Sequence, residues 1–142
     1  MQSFIITLHS YLAWAVLLLV VFTLGLAANV LLGKKTWTAA QQKWAFYAML
    51  AVHIQLLIGL IVYFVSPYGL NNLSGATMKD SAMRLLALEH PLINIIGILM
   101  ITIGHGKAKR ALGTAGASKT ILIYYGIGIL LILSRIPWNQ WL

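Results

Sequence analysis

Four stretches almost free of charge, each long enough to cross a bilayer, constrain this chain more than any other feature. The first runs from about Phe4 to Leu32 and the second from about Trp44 to Ser66. The third starts near Ser81 or Arg84 and ends near His105, and the fourth covers about Thr120 to Ile136. A hydrocarbon core of ~30 Å takes about 20 apolar residues of helix, so each stretch can span, the fourth being the shortest. None alternates polar with apolar residues, which argues against strands. The pattern predicts an all-α membrane protein, an up-and-down four-transmembrane-helix bundle forming a single domain over residues 1–142. Its helices are expected over about 4–32, 42–66, 81–105 and 119–137. The first stretch lacks a basic n-region and is about twice the length of a signal-peptide core, so it is expected as a retained helix.

Composition narrows the function classes. Only 8% of residues are charged, against about 25% in a soluble domain, which excludes an ordinary soluble enzyme. The two acids, Asp80 and Glu89, rule out most paired-carboxylate catalysis. With no cysteine there are no disulfides, zinc–thiolate sites, iron–sulfur clusters or covalently attached c-type haem.

The net charge of +8 would suggest nucleic acid in a soluble protein, but the placement of the charges explains it better. Lys34, Lys35 and Lys43 follow the first stretch, and Lys107, Lys109, Arg110 and Lys119 follow the third. Only Lys79, Arg84 and Arg135 fall on the other side. The positive-inside rule then puts both termini on the outer side of the membrane. The basic excess belongs to topology and anionic lipid, and no nucleic-acid partner is expected. Trp37 and Trp44 are expected at the inner interface, and Trp138 and Trp141 at the outer one. The longest link, about 67–80, faces outward and is expected as a plain connector, with Asp80 or Ser81 capping the helix that follows.

Histidine is the anomaly in so apolar a chain. His9, His53, His90 and His105 fall in or at the ends of three of the four stretches. Polar groups at membrane depth usually face the bundle interior, a cofactor or a proton path. Without thiolates and almost without carboxylates, imidazole alone suits haem iron or copper. A four-helix bundle can take a porphyrin between facing helices with axial histidines from two of them. Measured from the centre of its own stretch, His9 lies ~13 Å and His90 ~7 Å to the outer side, with His53 ~4 Å to the inner side. Similar depth favours His9 with His90, on first and third helices that would be diagonal in the bundle. His53 with His90 is the rival pair, and a second haem on His53 and His105 is poorly matched in depth.

Other residues fit an outward-placed haem. Arg84 and Arg135, near the outer ends of the third and fourth helices, are candidates for propionate pairing or for anchoring to headgroups. Glu89 is a candidate proton carrier for quinol oxidation, or else a partner of Arg84. His53, two residues before Gln55, is a candidate for quinone hydrogen bonding if it is not a ligand. Asn94 and Gly97 fall on roughly the face of His90. Gly59, Gly97, Gly126 and Gly128 are expected to allow close helix packing, the alternative being room for a flat macrocycle, and Pro91 to kink the helix at His90.

The stretches LHSYLAW around His9, HIQLLIGLIVYFVSP from His53, LEHP around His90 and SRIPW from Ser134 touch all four helices. Together they resemble the small four-helix membrane cytochrome b-like proteins of bacteria. The resemblance implies non-covalent haem b, with ligand or quinone roles transferring to His9, His53 and His90. The expected function is electron transfer between quinol or quinone and a periplasmic-side partner, such as a respiratory-chain protein, or a small oxidant. The alternative is a haem-free accessory or assembly subunit of a larger membrane complex.

Overall fold

The computed structural model describes residues 1–141. Helix α1 (Gln2–Leu32) and α2 (Ala39–Val65) are followed by a 3-10 turn at Leu70–Asn72 and the short α3 (Gly75–Lys79). Then come α4 (Ser81–Arg84), a π-helical turn (Leu85–Glu89), α5 (His90–Arg110), α6 (Ala115–Ser134) and α7 (Trp138–Trp141). The run from Ser81 to Arg110 is continuous, and with α1, α2 and α6 it makes four helices long and apolar enough to cross a membrane.

The spanning helices pack in a ring in which α1 touches α2 and α6, and α5 touches α2 and α6. This leaves α1 and α5 on one diagonal. The first turns of α1 and the short α7 lie at the same end, where Trp141 Nε1 donates to the Ser10 carbonyl and its ring stacks on Trp14 at 4.5 Å. Large apolar side chains such as Leu18, Leu57 and Leu130 point outward, each more than 60% exposed. Ala27, Ala45, Ala48, Ala108 and Ala117 are fully buried. Small residues inside and large ones outside is the order expected where lipid replaces water and backbones must approach closely.

Local chemistry sets the helix ends. Thr38 and Gln41 form a reciprocal capping box at the start of α2. Asp80 Oδ1 accepts from the Ala82 and Met83 amides, so Asp80 rather than Ser81 is the cap. The third helix runs beyond the expected end at His105, and Lys107, Lys109 and Arg110 occupy its last turn. Cations there face the carbonyl end of the helix dipole, which favours continuing the helix over starting a loop. Thr114 caps α6, so the fourth helix begins at Ala115 rather than near 119.

Two expectations about packing are corrected. Trp37 does not face outward as an interface anchor would: it is fully buried, its Nε1 donating to Gln42 Oε1 at 2.8 Å. Its backbone bonds to Thr114 and Gly113, so it clips the two basic links together. Gly126 has nothing within 4 Å of the position a Cβ would take, so it is not a packing glycine. Gly97 and Gly128 are: a Cβ on either would stand 2.8 or 2.7 Å from the other's carbonyl oxygen.

The two halves of the bundle differ. At the basic end Tyr125, Ile101, Ile121 and the alanines fill the space between helices, and Tyr125 Oη donates to the Ala45 carbonyl at 2.6 Å. Towards the terminal end this packing gives way to a cavity.

Candidate functional site

The cavity has a volume of about 280 Å³ and is partly open to the bundle surface. Val20, Val52, Ile98 and Ile129 form its floor, where the packed half begins. Its walls carry His9 from α1, Gln55 and Gly59 from α2, and His90 and Asn94 from α5. Ile136, Pro137, Gln140 and Trp141 line it from the C-terminal segment. A mainly apolar pocket with a few convergent polar groups is the usual form of a small-molecule site.

His9 and His90 meet across this space. Their ring centroids are 6.3 Å apart and their planes are inclined at 88°. His9 sits close to α2 because Gly59 has no side chain; a Cβ there would stand 2.9 Å from His9 Cε1. Gln55, one turn earlier on the same face, donates from Nε2 to the His9 carbonyl at 2.8 Å.

The backbone around His90 is unusual for a stated reason. Pro91 has no amide hydrogen and its ring crowds the carbonyl of Ala87, four residues back. The helix answers with the π turn over Leu85–Glu89, whose His90 amide donates to the Leu85 carbonyl. The Ala87 carbonyl accepts from Tyr63 Oη at 2.9 Å, so α2 braces the turn that carries His90. Pro91 thus acts through a π turn, a device that often marks functional positions within helices.

His90 Nδ1 lies 2.8 Å from the Arg135 carbonyl, to which it donates its hydrogen, leaving the lone pair on Nε2. Asn94 Nδ2 lies 3.1 Å from both ring nitrogens of His90, against the ring rather than on one lone pair. Three buried side-chain atoms among the described residues lack a partner: His9 Nδ1, Gln55 Oε1 and Asn94 Oδ1. All three residues line this one cavity. Unpaired buried polar atoms are rare, and their concentration in one place points to a ligand or to water.

The remaining sequence candidates fall elsewhere. His53 is not among the cavity residues. Its Nδ1 donates to the Met49 carbonyl at 2.7 Å, and its Nε2 faces Thr102 Oγ1 at 3.4 Å, so its bonds are those of a helix-packing residue. His105 packs against the Phe46 ring, with centroids 5.9 Å apart. Arg84 and Arg135 converge on Glu89: Arg84 Nε is 2.7 Å from Oε1, and Arg135 Nε is 3.3 Å from Oε2. Arg84 Nη1 also donates to the Met78 carbonyl, and Arg135 Nη1 to that of Ser134. Glu89 therefore bridges both cations. All three side chains are partly exposed, so each pair contributes little to stability.

Sequence reasoning sets Asn94 on the face of His90 and allows Gly59 to make room for a flat macrocycle, but it does not join them in one polar pocket or single out Tyr63 as a brace. The available signal was the stripe Gln55, Gly59, Tyr63 at steps of four on α2, in register with His9 and Ala87. Among the described residues no group of three or more His, Cys, Asp or Glu side chains is placed to hold a metal ion. Compared with protein-family models, curated proteins and solved structures, the chain matches none.

Proposed function

We propose that this chain is a membrane-bound b-type cytochrome in which His9 and His90 are the axial ligands of one haem b. In this reading it lies in a bacterial inner membrane with both termini on the periplasmic side. It passes electrons between quinol or quinone and a respiratory partner or small oxidant at the terminal end of the bundle. The observation that carries the reading is the pair of imidazoles, 6.3 Å apart on diagonal helices in an apolar cavity.

The spacing suits this role. His9 from α1 and His90 from α5, with ring centroids 6.3 Å apart, would hold the group between them. Two histidines suffice because a porphyrin supplies the other four nitrogens, so no larger cluster of protein ligands is needed. The tautomer of His90 suits as well, since Nδ1–H on the Arg135 carbonyl leaves Nε2 as the donor. Metal-bound imidazoles usually have such an outer partner, which fixes the ring and raises its basicity.

When bound, haem b supplies one-electron transfer, and ligation by two histidines closes the iron to oxygen activation. The chain's own residues do the rest. The apolar floor of Val20, Val52, Ile98 and Ile129 keeps water from the inner edge of the site. Arg84 and Arg135 do not line the cavity; each keeps N–H donors beyond those that Glu89 and the backbone carbonyls use.

A reduced-minus-oxidised spectrum of the purified protein, with haem quantified per chain, tests this directly. A b-type α-band and one haem per chain are expected. A colourless protein that does not take up haem contradicts the proposal and leaves the haem-free accessory subunit, whose histidines only join helices.

A further inference from the structure

His9 and His90 are unequally supported. The Nδ1–H of His90 has the Arg135 carbonyl, whereas His9 Nδ1 is buried and has no partner. The acceptors left without a donor among the buried side-chain atoms are Gln55 Oε1 and Asn94 Oδ1. Gln55 is already tied to the right residue, because its Nε2 holds the His9 carbonyl at 2.8 Å. That bond fixes the amide beside His9 and leaves the Oε1 lone pairs unused. Gly59, on the same face one turn away, lets the His9 ring lie against α2, the helix that carries Gln55. Asn94 is less suited, since it lies on the helix of His90 and its Nδ2 is engaged with that ring.

We infer that Gln55 is the positioning residue for His9. Resting on the cytochrome reading above, its Oε1 accepts the Nδ1–H of His9 when the other ring nitrogen binds iron. Each axial imidazole then donates to an amide carbonyl, the Arg135 backbone for His90 and the Gln55 side chain for His9. The N–H and the carbonyl that are unpaired here would then satisfy each other, fixing the His9 tautomer and ring orientation in the loaded protein.

Midpoint potentials of the haem-loaded full-length protein test the inference. An acceptor on Nδ1–H makes the imidazole a stronger donor and favours ferric iron. Gln55→Leu removes the acceptor, and the ferric-to-ferrous preference is expected to fall about tenfold, an upward shift of about 59 mV. Gln55→Glu strengthens the acceptor and is expected to shift the potential downward. Asn94→Leu is expected to move it much less than Gln55→Leu. Equal potentials in wild type and in a fully loaded Gln55→Leu protein overturn the inference, as does a larger shift from Asn94→Leu. If Gln55→Leu does not retain haem, the sign for Gln55→Glu decides: downward supports the inference, and unchanged or upward overturns it. A wild-type protein that binds no haem overturns the cytochrome reading itself, an outcome distinct from unequal haem potentials.

Discussion

Replacing Gly59 by alanine separates a ligand-bearing His9 from a merely packed one. The new Cβ would stand 2.9 Å from His9 Cε1. Carbon–carbon contacts settle at about 3.5–4.0 Å, so the ring must retreat by about 0.6–1.1 Å. In the haem-free protein it can do so by turning into the cavity, and alanine improves helix propensity by up to about 1 kcal/mol. The thermal midpoint of apo-protein in detergent is therefore expected to hold or rise slightly. Once Nε2 is bound to iron the ring cannot retreat, and overpacking costs about 1–3 kcal/mol. That corresponds to a haem dissociation constant raised about 5- to 140-fold. Haem titration of the apo-protein, followed by the low-spin absorbance, reads this against Gly126→Ala. Position 126 has nothing within 4 Å and should leave affinity unchanged. Gly59→Ala protein that binds haem as tightly as wild type would refute the argument that His9 is pinned on both sides.

Other expectations follow from single contacts. Tyr63→Phe leaves the buried Ala87 carbonyl without its hydroxyl partner, at a cost of about 1–3 kcal/mol. It should lower the melting temperature and speed amide exchange across Leu85–His90; unchanged exchange there contradicts the bracing role. Gly97→Ala forces a Cβ to 2.8 Å from the Gly128 carbonyl, which cannot yield without parting α5 from α6. It should destabilise by about 1–3 kcal/mol, and a wild-type melt would be the contrary result. Glu89→Gln should change stability by under about 1 kcal/mol, since its pairs with Arg84 and Arg135 are partly exposed. It should nevertheless raise the haem potential, because it removes a negative charge next to His90; an unchanged redox titration argues against that coupling.

The spans were legible because hydropathy over twenty residues averages out local detail. The ends were less so: α5 continues to Arg110 because cations stabilise its last turn, whereas charge alone suggested a loop at Lys107. Depth arithmetic set His9 and His90 within about 6 Å of one another along the membrane normal, and their rings lie on the diagonal of the bundle. What sequence could not supply was rotation about each helix axis. That rotation decides whether His53 faces the cavity or, as found, bonds to Met49 and faces Thr102. It also decides whether Arg84 and Arg135 stay apart or converge on Glu89. The π turn before Pro91 was legible only as a kink, because its form depends on Tyr63, which lies twenty-four residues before Ala87. Trp37 read as interfacial because its burial depends on a second link, Gly113–Thr114, folding over it.

The most direct measurement of the His9–His90 assignment is the electron paramagnetic resonance spectrum of the oxidised, haem-loaded protein and its histidine variants. The His9 and His90 planes are inclined at 88°, and imidazoles that held iron at that angle would leave two of its dπ orbitals nearly equal in energy. The account predicts a strongly anisotropic low-spin signal that is lost in His9→Ala and in His90→Ala and persists in His53→Ala. A low-spin signal that survives His9→Ala and vanishes in His53→Ala would contradict it.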